Sequence, residues 1–460
     1  MTILTEVNTM ATFQPQHGVG SMRIPSNIST HGSIARGFQF GEKIPIEAAQ
    51  IGYIEEKWLP TNGTHSDPFE FVIPASHTHW LLLNSLYLDV HFQIYQEDGQ
   101  VAQRPEVGPV NLMLQSLWKR IETKINDIPI NPTSATGIAH KAYLSAVLSL
   151  EGDDAQQNNA VSGQLFYLDT PDKYDEIDEN KNKGWKKRIY AGFKGMGNGF
   201  DYFLAGAPYV DFLQADKHFA PGNKLTLTFH QNSSKFALLC STEFKYKIVI
   251  KRLELYGRRM VLEPSIHQKI LSQNSVFNYT CQHTELREIH MPKGSKEGSY
   301  RINHGGPFHK QILLVQVATE ALVGDFKRNP FYFRNYKLNY LEIKENQKSY
   351  PTEPFTPDYT TGDYMRTYLS LFQNTGKWRK NAGNCVSHRQ FRDSMNIYAN
   401  YRTPDMCLGS HLHVGKDGTI DVIIKREEAL PENVTLLVFM IRDQIISINR
   451  DTGLPFISVV

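Results

Sequence analysis

The chain has 460 residues, 40% hydrophobic and 21% charged, with 49 basic against 47 acidic side chains and a formal net charge of +2. That length exceeds the roughly 250 to 300 residues at which a single core stops growing, so two domains are expected. The charge balance excludes a chain that is basic throughout, so any contact with DNA must be indirect or local.

Residues 1 to about 50, as in "QPQHGVGSMRIPSNISTHGSIARG", are rich in Ser, Gly, Gln and Pro and hold no period. They read as a flexible terminus or as an arm ordered against a neighbouring subunit. The opening "MTILTEVNTMATFQPQHG" lacks the basic flank and apolar core of a signal peptide, and no run approaches the about 18 apolar residues of a membrane span. A chain made and kept inside a cell is expected, which leaves the sequons at Asn27, Asn62, Asn232, Asn278 and Asn433 without meaning. Cys240, Cys281, Cys385 and Cys407 are scattered, with no C-x-x-C pair, and are expected to be free thiols.

From Asp67 the texture turns to strands, helped by 25 Phe and 22 Tyr, which suit pleated, half-buried surfaces. "FEFVIP" and Leu81 to Tyr95 are predicted strands, the second alternating strictly at Leu86, Leu88, Val90, Phe92 and Ile94. Met113, Leu117 and Ile121 recur at i, i+4, i+8 and predict a short helix after Pro109 and Asn111. It feeds directly into a strand at Ile121, Thr123 and Ile125 that ends at Asn126 and Asp127. The acidic "DTPDKYDEIDENKNK" and glycine-dense "AGFKGMGNGFDYF" read as long surface excursions. Strands return at Leu225, Leu227 and Phe229 and in "KYKIVIKRLEL", where the phase changes between Ile250 and Leu253 and implies a bulge or a change of packing partner.

The second half repeats this texture. "HKQILLVQVAT" and "YFRNYKLNYLEIKENQ" are predicted strands, the latter alternating at Tyr336, Leu338 and Tyr340. "DYMRTYLSLFQ" is a helix with Met365, Leu369 and Phe372 on one face, and "GTIDVIIKREE" and "NVTLLVFMIRD" close the set. No short-period repeat is present, but two similar β-domains fit, with a boundary near "YGRRMVLEPS".

Chemical motifs are few. "GMGNG" at Gly195 to Gly199 lacks the spacing of a dinucleotide loop, and P-loop, G-x-S-x-G and H-E-x-x-H patterns are absent. His77 with His79, and His411 with His413 near Asp417, could ligate a metal from a strand; solvated loop histidines are the plainer reading and the preferred one. Ser387, His388 and Asp393 have the residue types of a triad without the geometry. Trp185 with Lys186, Lys187 and Arg188 could touch phosphate, but a solvated loop balancing the acidic run is preferred. Arg258 and Arg259 share that ambiguity, with a position between domains preferred. Phe331, Tyr332 and Phe333 could stack on bases or sugars, and core or interface is preferred.

Four blocks carry a family resemblance: "GPVNLMLQSLWKRIETKIN", "KRNPFYFRNYKLNYLEIKENQ", "PDYTTGDYMRTYLSLFQNTG" and "ALPENVTLLVFMIRDQIISINR". From about Trp58 to Ile448 the chain resembles the major capsid proteins of Maverick/Polinton elements and adintovirus-like viruses, whose relatives also occur in animal genomes. The resemblance implies an all-β double jelly roll, two eight-stranded antiparallel sandwiches with short helices in the connections. The implied layout is an N-terminal arm at 1–55, a first jelly roll at 56–258 and a second at 259–460. It further implies homotrimeric, pseudo-hexagonal capsomers tiling an icosahedral shell around a DNA genome, contacts with penton and minor capsid proteins, a place in the virion, and no catalytic, cofactor or metal site. The long loops near Asp153 to Gly206 and Gln373 to His413 would then serve the outer face or trimer contacts. The competing readings are a cupin-like metal-dependent enzyme using His411 and His413, and a carbohydrate-binding β-sandwich with Tyr332 exposed.

Overall fold

In a computed structural model of the chain, the structure describes residues 49–64, 67–99, 106–130, 137–150, 160–194, 200–243, 245–303, 309–380, 383–403, 412 and 417–459. The first strand set is β1 (Gln50–Trp58), β2 (Phe69–Ile73), β3 (His79–Gln96), β4 (Val107–Pro109), β5 (Trp118–Ile125), β6 (Ile128–Pro129), β7 (Phe193–Lys194), β8 (Phe200–Gly206), β9 (Leu225–Gln231), β10 (Leu238–Cys240) and β11 (Tyr246–Leu262). The second is β12 (Val276–Met291), β13 (Glu297–Ile302), β14 (Gln311–Ala318), β15 (Leu338–Glu345), β16 (Lys348–Ser349), β17 (Ile397–Tyr401), β18 (Ile420–Arg426), β19 (Val434–Asn449) and β20 (Pro455–Val459). The helices are α1 (Met113–Ser116), α2 (Ile138–Ser149), α3 (Lys183–Tyr190), α4 (Ser234–Ala237), α5 (Pro264–Gln273), α6 (Thr319–Val323), α7 (Met365–Gln373) and α8 (His388–Asp393).

One strand permutation occurs twice. The first set forms sheets in the orders β1-β11-β3-β8-β7 and β2-β9-β5-β6; the second forms β12-β19-β14-β17 and β13-β18-β15-β16, with β20 beside β19. Setting aside β4, β7, β10 and β20 and counting the other strands one to eight in each half, both halves read 1-8-3-6 facing 2-7-4-5. The ladders are antiparallel. This is the jelly-roll order, two Greek keys wound into one sandwich, and its presence in both halves makes the chain a double jelly roll. β11 runs unbroken through Leu262 and α5 then leads to β12.

The side-chain pattern explains each layer. In β3 the alternating Leu86, Leu88, Val90, Phe92 and Ile94 point inward, each at most 3% exposed, while Tyr87, Asp89, His91 and Gln93 point outward. Phe71, Ile121, Leu227 and Phe229 close the same core from the facing sheet. The expected break in "KYKIVIKRLEL" is a bulge at Lys251, where the register slips between Ile250↔Phe92 and Arg252↔His91. The turn after β5 uses Asn126 and Asp127 at φ of 48° and 70°, and the turn after β15 uses Asn346 and Gln347 at 47° and 69°. Two successive left-handed residues match the twist of a tight hairpin, so both halves make the same corner in the same way.

Three local expectations change. The helix predicted from Met113 through Ile121 stops at Ser116, because Trp118 and Ile121 are drawn into β5 against β9. The strand predicted over Tyr332 to Gln347 begins only at Leu338, since Tyr336 and Lys337 hold φ of 44° and 48° and turn the chain into it. The excursion after β6 is not a surface feature throughout: Phe166, Tyr174, Trp185 and Ile189 are fully buried.

That burial lies at the seam between the sandwiches. The outer sheet of the second half is covered on both faces. Ile312, Leu314, Val438 and Met440 line its own core, and Leu313, Val315, Val317, Ile397 and Phe439 on the opposite face pack into a cluster with α2. Nearly all of α2 from Ile138 to Leu148 is buried, as an all-round apolar helix must be.

Candidate functional site

The seam holds most of the chemistry that the fold buries. On α2, His140 Nε2 meets the carbonyl of Pro330 at 2.9 Å inside an aromatic box of Phe236, Phe331 and Phe333. Burial pushes its pKa down to about 4. Tyr143 stacks on Phe331 with ring centroids 4.4 Å apart, and the Cys385 N–H donates to the Val147 carbonyl at 2.9 Å. Lys141 pairs with Asp211, whose other oxygen accepts the Thr284 N–H of β12 at 3.1 Å. Burial holds the Lys141 pKa below its usual range, and the Asp211 charge opposes that push.

A second buried pair pins the same seam. Arg188 and Asp169 are both inaccessible to solvent and lie 2.8 Å apart. Arg188 also donates to the carbonyls of Pro109 (3.0 Å) and Tyr167 (2.8 Å), while Asp169 accepts from Asn329 Nδ2 at 3.1 Å. Gln390 Nε2 donates to the Asp169 carbonyl at 3.0 Å. Asn329 and Gln390 belong to the second half, so Asp169, neutralised by Arg188, joins the two. Residue type could not reveal this network, because Asp169, Asn329 and Gln390 lie far apart in sequence; the one cue was an Arg three positions after a Trp in a short helix.

The "GWKKR" cluster is therefore corrected from solvated loop to helix α3, with Trp185 and Arg188 in the interior and only Lys186 and Lys187 outside. Its Gly184 permits close approach: a Cβ there would sit 2.4 Å from the Leu168 carbonyl oxygen. Because backbone cannot yield as a side-chain tip does, Gly184→Ala is expected to lower stability by about 1–3 kcal/mol, read as a shifted urea midpoint with unchanged slope.

Arg258 and Arg259 are corrected likewise. They lie within β11, where Arg259 is 5% exposed, pairs with Glu56 Oε2 at 2.9 Å and donates to the Pro74 carbonyl at 2.7 Å; Arg258 lies 4.9 Å over the Tyr53 ring. Ser387 is the N-cap of α8, accepting from the Gln390 N–H at 3.2 Å. His388 stacks on Tyr364, and Asp393 pairs with Arg392 at 2.6 Å, so the three do not converge as a triad. His79 Nδ1 lies 3.0 Å from Ser76 Oγ and 2.9 Å from Thr78 Oγ1, while His77 is exposed. Among the described residues no group of three His, Cys, Asp or Glu could hold a metal ion. Gly195 to Gly199, Cys407, His411 and His413 lie outside the described residues. Phe331 and Phe333 are fully buried and Tyr332 is 9% exposed, with its hydroxyl 3.1 Å from Asp172 Oδ1. That placement removes the exposed aromatic surface a sugar would require. No helix among the described residues is long and apolar enough to cross a membrane.

Among the described residues, several large apolar side chains stay exposed on sheets and helices. Phe193 (67%) and Phe203 (50%) stand on the outer face of the β3–β8 side, Ile51 and Tyr53 on edge strand β1, Met365 (40%) and Leu369 (42%) on α7, and Phe456 and Ile457 on edge strand β20. The face shared by Met365 and Leu369 exists as the periodicity implied, but it points outward; Thr367, Ser370 and Leu371 face the protein. Open apolar edges and faces of this kind mark association.

No protein-family model matches the chain. In sequence it is similar to "Uncharacterized protein F54H12.2" of Caenorhabditis elegans, 19% identical over 398 residues that cover 83% of this chain and 91% of that protein. In fold it is similar to a chain in the cryo-EM structure of the Sputnik virophage, with a TM-score of 0.65 and 11% identity over 96% of this chain and 95% of that one. It is also similar to the mavirus major capsid protein, with a TM-score of 0.51 and 10% identity over 97% of each chain. These likenesses agree with one jelly roll in each half.

Proposed function

We propose that the protein is a major capsid protein, a structural subunit that assembles into homotrimeric, pseudo-hexagonal capsomers of an icosahedral shell around a DNA genome. The observation that carries this reading is the twofold occurrence of the 1-8-3-6/2-7-4-5 sandwich in one chain. Three such chains place six near-equivalent sandwiches around a ring, which lets one gene product approximate sixfold packing. The full-length likeness to the mavirus major capsid protein supports it, as does the set of apolar residues left open on sheet edges and α7.

In this reading residues 56–258 and 259–460 are the two domains and 1–55 an arm, although the first sandwich already draws on Gln50 through β1 and continues to Leu262 through β11. The chain acts by adhesion rather than catalysis, in a virion, beside penton and minor capsid proteins, and its origin is a Maverick/Polinton or adintovirus-like element. Light scattering on the purified chain is expected to give a mass three times the 52.6 kDa of one copy, and electron microscopy to show hexagonal outlines. A strict monomer at high concentration would refute the assignment.

A further inference from the structure

We propose that α7 of one copy docks on the outward face of the β3–β8 strands of a second copy, repeating between chains the contact that α2 makes within one. The inference rests on the self-association proposed above and says which surfaces carry it.

The repeated strand order gives each half a matching excursion between its fifth and sixth strands, residues 130–199 between β6 and β8 and residues 350–396 between β16 and β17. The first helix described in each is α2 and α7. α2 is covered all round, and its partner in the second half is the outer sheet face carrying Leu313, Val315 and Phe439. α7 is covered on one side only, by way of Leu371. Its other side presents Met365 and Leu369, one turn apart, with Trp378 (40% exposed) following the helix. Among the described residues, the corresponding sheet face of the first half is likewise open. There Phe203 stacks on His91 at 4.4 Å and Phe193 lies 6.2 Å from Phe203. One chain thus holds one occupied helix-on-sheet junction and the two separated halves of another.

The composition of the open face fits a junction made after folding. Where the covered face is mostly aliphatic, with Leu313, Val315, Val317 and Ile397 beside Phe439, the open one carries Phe193, Phe203 and compensated charges, Arg252 with Asp89 at 3.0 Å and His91 with Asp201 at 2.9 Å. Amphipathic rings and paired charges tolerate water until a partner displaces it, as interface residues must. The two surfaces differ, so the contact is head-to-tail and can close a ring.

The test uses the full chain as wild type, as Met365→Asp/Leu369→Asp, and as Phe203→Asp, compared by light scattering and circular dichroism. Each variant is expected to keep the wild-type spectrum and melting behaviour, to lose the trimer, and to associate at least about thirtyfold more weakly, the effect of removing a hot spot. Mixed together, the variants are expected to give pairs but no rings, since only one intact junction can form between them. A trimeric wild type whose variants also stay trimeric overturns this docking and leaves self-association standing; a monomeric wild type overturns both. Should either variant misfold, a benzoylphenylalanine at position 369 of the otherwise unchanged chain decides. Cross-links to the His91 or Phe203 peptides of another copy support the docking, and cross-links confined to other segments overturn it.

Discussion

Replacing Arg188 by alanine is expected to lower the free energy of unfolding by about 3–5 kcal/mol, the cost of leaving a buried carboxylate without its cation. Burial alone raises the Asp169 pKa, and the Arg188 guanidinium 2.8 Å away opposes that rise. Without it, burial raises the Asp169 pKa unopposed by that charge, so the carboxyl takes up a proton more readily and the loss eases as the pH falls. Two main-chain carbonyls, of Pro109 and Tyr167, also lose their donors. The pair Arg188→Met/Asp169→Leu should be far milder than either single change, because it removes the charge together with its partner. Urea unfolding of the three variants and the wild type measures both statements. A single-variant cost below about 1 kcal/mol would mean that the seam tolerates an unpaired charge.

Acidification from pH 7 to 4.5 is expected to loosen the chain through two buried histidines. His140 and His283 are 2% and 4% exposed, and each has its pKa pushed down to about 4, by burial first in both and by the nearby Arg442 charge in His283. In the unfolded chain both titrate near 6.5. Between these values the unfolded state binds more protons than the folded one, so stability is complete above about pH 6.5 and falls as the pH drops toward 4. The loss approaches about 3 kcal/mol per histidine at the lower end. His140 faces Phe236, Phe331 and Phe333 across the seam, so its protonation acts on the contact between the sandwiches. His140→Gln, which keeps a donor for the Pro330 carbonyl and cannot be charged, should lose about half of the pH dependence of the urea midpoint. An unchanged dependence would assign the effect elsewhere.

The bonds that carry the seam into the second half join Asp169 to Asn329 and Gln390, 160 and 221 positions away in the chain, and that distance divides what could be read from sequence from what could not. The strict alternation in β3 was legible because its outer face stays wet, leaving polar residues at every second place. The bulge at Lys251 was legible as a phase change within one strand, and the short helix feeding β5 as a change of period. Jelly-roll order itself is not written in any strand, since 1-8-3-6 facing 2-7-4-5 is a statement about which strands pair, and pairing is decided by packing.

The amino-acid sequence alone was enough for a two-part β protein with a strictly alternating strand at Leu86 to Ile94 and a turn at Asn126 and Asp127. Only the tertiary structure decided which surfaces are interior. Trp185 and Arg188 read as a solvated cluster because a local window cannot see the second sandwich that covers them, and the shared face of Met365 and Leu369 did not say which way it points, because an apolar stripe has the same period whether it meets its own core or a neighbour. Burial is a property of what packs opposite, and for this chain the opposite surface is supplied first by its own second half and then, as proposed, by another copy.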